Sequence, residues 1–347
     1  MKPRADVLLV AVTKVETEAV LQAAREQTGR QAVLQPIDAK TYFDLGSIGG
    51  ARVWLVRSEM GAGGLGASMQ TITKALAALT PGAVIMVGIA FGVNETKQAI
   101  GDVLVSEGLR LYDLQRVGTK GRRLEIILRG DRPHASTWLL DRCRAAELSW
   151  KATTLSPSDG ERAGVRGGGS GTEATVRFGL VLSGEKLVDN LDFREQLRAL
   201  EPEAIGGEME GAGLYVACHE EKTDWILVKA ICDWADGHKN RNKSERQALA
   251  ARNAARFVLH LLRQAPLKRK PLAPRAQPRH PSRKPQSGAP KIVQSGSGGL
   301  AIGPGAVAAG NGGVAIGGNV SGCTIVTGDR NTIKSTPARN SKRSASH

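Results

Sequence analysis

Two rhythms of apolar and polar positions alternate along the first 263 residues. Residues 6–12 (DVLLVAV) are a continuous apolar run with β-branched members, which predicts a buried strand. The stretch that follows, TKVETEAVLQAARE, sets Val15, Ala19, Val20 and Ala23 on one face of a helix. ARVWLVRSEMGAGGLGASMQTITKALAAL then reads as a strand, a glycine-rich turn and a second helix. PGAVIMVGIAFG is a strand ending in a glycine-rich turn, GDVLVSEGLRL a strand, and STWLLDRCRAAEL a helix. VRFGLVLSGEKL is a strand and loop, EMEGAGLYVACHE opens a helix, and DWILVKAICDWAD is a strand and loop. A final helix runs from about Lys243 to Arg263. Near-continuous apolar strands alternating with helices predict an α/β domain over residues 1–263, a mostly parallel central sheet flanked by helices.

The pattern changes at two places. Residues 155–175 (LSPSDGERAGVRGGGSGTEAT) have too few apolar groups for a strand or helix and read as a mobile surface loop. Residues 264–296 are rich in Pro, Lys and Arg, which resists regular structure and extends the chain by self-repulsion, so this stretch reads as a disordered basic linker. Beyond it, residues 297–334 space Ile302, Val307, Val314, Ile316, Val320, Ile325 and Val326 by Gly and Asn. Such spacing suits a short Gly-rich β-type module, either a few solenoid rungs or a piece that pairs with another chain; a disordered Gly-rich tail is the other structure it allows. Residues 335–347 read as a disordered tail.

Charge sharpens this division. The chain carries a net charge of +15. Thirteen Lys and Arg against the single acid Asp329 place +12 of it beyond residue 263, leaving +3 for the domain. A basic tail without any Phe, Tyr or Trp cannot stack on bases, which argues against nucleic acid as a partner. Lys2 and Arg4 precede only a short apolar run, so a strand rather than a signal peptide is expected, and no run of about 18 apolar residues suggests a membrane span. Four cysteines without paired metal-ligand spacing predict a cytoplasmic protein with no metal.

Three segments carry candidate chemistry. Asp233, in VKAICDWAD, stands where an apolar strand ends, the usual ligand end of an open α/β sheet, and is a candidate general acid; an Asp in that place also serves as a helix N-cap. In GEMEGAG, Glu208 and Glu210 flank Met209. A carboxylate there can hold sugar hydroxyls while the thioether packs on the sugar face, or both acids can simply favour a helix start. Glu16 is a candidate base on water, or first-turn helix charge. The turns GAGGLGA and GIAFG can bring backbone N–H groups to a sugar, phosphate or nucleophile, but the first lacks a P-loop ending and fits the dinucleotide fingerprint poorly.

In order, VTKVETEAV, SEMGAGGLGAS, VGIAFGV, IGDVLVSEGLRLYD, GLVLSGEKL, GEMEGAG and KAICDWAD resemble the purine nucleoside and uridine phosphorylase superfamily, most of all its methylthioadenosine/S-adenosylhomocysteine nucleosidase branch. The resemblance spans nearly all of residues 6–263. It implies cleavage of a purine N-glycosidic bond, adenine being the favoured base. Asp233 would then protonate N7, Met209, Glu210 and Glu208 would hold the ribose, and Glu16 would activate water. Leu187, Val188 and Phe91 would form the base pocket, while Gly61, Ile89, Ala90 and Lys229 would surround the nucleophile or a phosphate. Relatives place an aromatic residue at Leu187, a small hydroxyl residue at Ile89, Ser at Cys232 and Arg at Lys229, so the substrate is where this chain departs. Phosphorylases supply an Arg after the first strand, whereas this chain offers Lys14 and Glu16 there; a carboxylate in that loop would repel phosphate yet suit water activation, which favours hydrolysis. No cofactor is implied, inorganic phosphate being needed only by a phosphorylase. A homo-oligomer acting on a purine nucleoside or nucleotide is expected; a nucleotide would need cations where its 5′ group exits, and Lys14, Arg57, Arg110 or Lys186 could serve. Tails like GGNVSGCTIVTGDRNTI resemble those of bacterial signalling and defence proteins, where such a module engages a protein partner.

Overall fold

A computed structural model describes residues 3–150, 174–264 and 267, and the backbone of 306–308 and 314–316. The chain divides into two units, residues 1–273 and 274–347. In the first, β1 (Val7–Ala11) is buried at every position and leads into α1 (Lys14–Thr28). Thr13 caps α1: its hydroxyl accepts from the Glu16 N–H at 3.3 Å, and the Glu16 carboxylate accepts from the Thr13 N–H at 2.6 Å. Three strands follow, β2 (Val33–Ile37), β3 (Lys40–Ile48) and β4 (Ala51–Arg57), then α2 (Ser68–Leu79) and β5 (Ala83–Gly92). Next come β6 (Val103–Leu111), the hairpin β7 (Gln115–Lys120) and β8 (Arg123–Leu128), and α3 (Thr137–Ser149). The unit ends with β9 (Val176–Ser183), α4 (Leu191–Leu200), β10 (Ala204–Glu208), α5 (Gly211–Glu220), β11 (Asp224–Asp233) and α6 (Lys243–Gln264).

Nine strands form one sheet in the order β10-β9-β6-β11-β5-β1-β4-β3-β2. The centre, β11-β5-β1-β4, is parallel, which is why these strands are apolar without alternation. The sheet as a whole is mixed rather than mostly parallel. β6 runs antiparallel to β11, and β3 and β2 add an antiparallel meander at one edge. At the other edge β10 pairs back onto β5, with Gly206 opposite Gly92 and Gly207 opposite Phe91, so the end of β10 lies beside the end of β5. GIAFG is therefore not a turn but the last part of β5. Its glycines serve close packing, as the site below requires.

The main core gathers β1, β4, β5 and β11 with the apolar faces of α2 and α6. Among the described residues no helix is long and apolar enough to cross a membrane. The loop expected over 155–175 lies outside the described residues except for its last two positions. The expected linker also lies outside them, apart from Gln264 and Leu267. Within residues 297–334, β12 (Ala306–Ala308) and β13 (Val314–Ile316) form an antiparallel pair.

Candidate functional site

A cavity of about 150 Å³ opens where β1, β5, β10 and β11 end. Most residues singled out in the sequence line it: Glu16, Ile89, Ala90, Phe91, Leu187, Val188, Glu208, Met209, Glu210 and Asp233. Four strand ends thus place distant segments around one volume.

The floor is charged and buried. Glu16 is buried, and its carboxylate is fixed by three backbone donors, Val12 N–H at 3.0 Å, Thr13 N–H at 2.6 Å and Ile89 N–H at 2.8 Å. The capping box that starts α1 therefore also aims this acid at the end of β5. Lys229, buried on β11 opposite Gly88, donates to Glu210 Oε2 at 3.1 Å. Its Nζ also lies 3.9 Å from Glu16 Oε1 and 4.0 Å from Glu208 Oε2. Burial disfavours the ammonium, but the carboxylates of Glu210, Glu16 and Glu208 outweigh that cost and raise its pKa. Lys229 thus stays charged as the common counter-ion of three acids.

Glu208 has a different setting from the one expected. Its carboxylate accepts from the Glu210 N–H at 2.9 Å and from the Gly211 N–H at 2.9 and 3.0 Å, so it caps the start of α5. Burial, opposed by Lys229 and reinforced by Glu210, pushes its pKa up to about 7. Glu210 accepts from the Gly61 N–H at 3.3 Å through its other oxygen, which brings the glycine-rich turn after β4 to the same carboxylate. Gly61 does not itself line the cavity and is joined to it only through this bond.

Asp233 closes β11 at a bulge and is buried. One oxygen accepts from the Ala235 N–H at 3.0 Å; the other accepts from the Cys232 thiol at 3.1 Å and has the Lys239 ammonium at 3.6 Å. Burial and the adjacent Asp233 charge push the Cys232 thiol up, so it stays a neutral donor. Above the acid, Phe91 and Val188 are buried walls and Met209 is half-buried. Leu187 lines the mouth but is 58% exposed, a rim contact rather than an enclosed one.

Of the four cations suggested for a 5′ group, only Lys186 lines the cavity. Lys14 pairs with Glu18, Arg57 donates to the Val12 carbonyl, and Arg110 is held by Glu201 and two carbonyls of the β8 end. Lys239, Lys243 and Gln247 line it instead, and sequence reasoning missed them. Their signal was available: Lys239 follows Asp233 by six residues, and Lys243 and Gln247 are one turn apart at the start of α6. Gly88 was also missed. A Cβ there would lie 2.0 Å from Glu16 Oε1 and 3.0 Å from Lys229 Nζ, so the floor can form only over glycine.

Comparison with known proteins places this geometry. Residues 7–263 match the phosphorylase superfamily. The "Death domain-containing ATP nucleosidase" of Amphimedon queenslandica is 29% identical over 265 residues, 74% of this chain and 48% of that protein. "ATP nucleosidase Cap17" of Escherichia coli is 29% identical over 194 residues, 54% of this chain and 37% of that protein. This chain therefore spans about half or less of the length of these two relatives. A 5′-methylthioadenosine/S-adenosylhomocysteine nucleosidase of Tolumonas auensis is 25% identical over 240 residues, 69% of this chain and 93% of that enzyme. Among solved structures, the nucleosidase of the same name from Neisseria meningitidis superposes with a TM-score of 0.57 at 19% identity, covering 75% of this chain and 99% of that one.

Proposed function

The chain belongs to the phosphorylase superfamily over residues 7–263, and from that premise we propose that it hydrolyses the N-glycosidic bond of a purine nucleoside or nucleotide. In this reading Asp233 protonates the departing base, Glu210 and Met209 hold the ribose, and Glu16 takes a proton from the attacking water. The observation that carries it is the seating of Glu16. A carboxylate held by three backbone N–H groups stands just after the first strand and lines the cavity. A carboxylate there repels phosphate and accepts a proton from water. The Lys229 ammonium lies 3.9 Å from it.

The names of the ATP nucleosidases support a nucleotide as the substrate, with ATP the first to try. Lys186, Lys239 and Lys243 at the cavity add the cations that a 5′-phosphate chain needs. We also propose that residues 264–296 act as a spacer, that residues 297–334 engage a partner or a second copy, and that the domain works as a cytoplasmic homo-oligomer.

The deciding experiment incubates the full chain with adenosine, methylthioadenosine, inosine, AMP and ATP, with and without phosphate, and identifies both products. Free base and free ribose, or its 5′-phosphorylated form, are expected at a rate that phosphate does not increase. Glu16→Gln should slow that rate by about 10²-fold, the typical contribution of a positioned base. Ribose-1-phosphate formed only when phosphate is present would establish phosphorolysis instead.

A second test addresses the floor without touching an ionisable group. Gly88→Ala should lower turnover by roughly 10²-fold, the scale at which a misplacement of about 1 Å acts, because its methyl group must displace Glu16 or Lys229. Turnover within a few-fold of the unaltered chain would mean that the carboxylate's position is unimportant.

A further inference from the structure

Glu185 is an exposed acid just after β9, yet its carboxylate is not free in solvent. Its Oε1 accepts from the Ala62 N–H at 2.9 Å and the Gly63 N–H at 2.9 Å, both in the glycine-rich turn after β4. Gly61 has φ +90°, and a Cβ on it would meet Glu185 Oε2 at 2.5 Å, so glycine leaves the room in which this anion sits. The same turn reaches the proposed ribose side of the cavity, since the Gly61 N–H donates to Glu210. Met60 before it and Lys186 after Glu185 both line the cavity. Two convergent amides therefore form an anion site at the cavity rim, and the chain's own carboxylate is its occupant.

We propose that the Ala62–Gly63 amide pair is a phosphate subsite, filled by Glu185 until a phosphate on the 5′ carbon of the substrate displaces it. The inference rests on the nucleosidase reading above. A phosphate brings more charge and more acceptor oxygens than a carboxylate to the same two donors, and Lys186 stands next to the exchange. Glu185 gives way readily because it is exposed and returns to water when released. While seated, it lowers the apparent affinity for a phosphorylated ligand by the fraction of time the subsite is open. A nucleoside has no group to compete for the amides, so Glu185 discriminates by substrate charge.

The test follows the backbone amide resonances of Ala62 and Gly63 in the full chain carrying Asp233→Asn, so that substrate is not consumed during titration. AMP and ATP should shift both resonances, and adenosine should shift neither. Adding Glu185→Ala should tighten AMP binding about tenfold relative to adenosine, the gain expected of a subsite that Glu185 fills nine-tenths of the time. Unmoved amides with AMP, or equal effects of Glu185→Ala on AMP and adenosine, would overturn the proposal. Shifts produced by inorganic phosphate together with adenosine would assign the subsite to free phosphate and overturn the substrate-borne source. Amide shifts with AMP in a chain whose unaltered form releases no base would retain the subsite and remove the nucleosidase reading alone.

Discussion

Asp233→Asn is expected to slow base release by at least about 10²-fold while leaving the unfolding midpoint within a few degrees of the unaltered chain. The amide keeps the shape of the carboxyl and can still accept from the Ala235 N–H through its remaining oxygen. It cannot deliver a proton to a leaving base. The cost to the fold is small because the other partners can adjust. The Cys232 thiol is a weak donor, and the Lys239 ammonium, at 3.6 Å on a partly exposed side chain, can turn to solvent once the carboxylate is gone. Turnover is measured as free base by chromatography, and stability by circular dichroism on the same sample. Turnover reduced less than a few-fold would take the proton-donor role from Asp233; a collapsed midpoint would make the residue a structural anchor of the β11 end.

The strands legible in the sequence were those buried on both faces. β1, β4 and β5 carry long apolar runs, and β11 one broken only by Lys229, because helices cover the sheet on either side. The missed strands lack that signal for a physical reason. β2 is an edge strand, exposed over its first four residues and interrupted by Pro36, so it has no apolar face to announce. β7 and β8 pair only with each other, outside the central sheet, and their exposed Val117 and Leu124 read as loop. α4 is short but clearly amphipathic, with Leu197 buried and Phe193 packed against the cluster of Tyr112 and Val188, so its apolar face was present in the sequence. The mixed direction of the sheet could not be read from runs of apolar residues, which report burial and not polarity of pairing.

At the site, motif order found the residues that line the cavity, but not their partners. Glu16, Asp233, Met209 and Glu210 stand in recognisable segments, and all four face one volume. Glu208 belongs to the same segment, yet its oxygens are taken by the N–H groups at the start of α5. Gly88 and Glu185 act through long-range contacts, across 72 and 122 residues, and only the fold brings them to their partners, whereas Lys239 lies near Asp233 in sequence.

Lys229→Met is expected to have the largest effect on stability, and the effect should depend on pH. Lys229 is fully buried among Glu210, Glu16 and Glu208, and no other cation lies within 4 Å of those three carboxylates among the described residues. Methionine preserves most of the volume but removes the charge, leaving buried acids uncompensated, a change that costs about 3–5 kcal/mol. The raised pKa of Lys229 means that its contribution is complete below about pH 10.5 and is lost only above it, so the unaltered chain has it in full at neutral pH. Glu208 acts in the same sense but in a lower pH window. Its pKa, pushed up to about 7 by burial, exceeds the unfolded value of 4.5, so the folded state holds its proton longer and stability falls as pH rises across that window. In the variant the ammonium that opposes this shift is gone, and the fall must steepen. Urea denaturation at pH 5 and pH 7.5 should therefore show a large loss at pH 7.5 that narrows at pH 5, where protonation of Glu208 removes one of the uncompensated charges. An equal loss at both pH values would trace the effect to the packing of the lysine stem, and Lys229 would then be a core residue rather than the counter-ion on which the carboxylate floor depends.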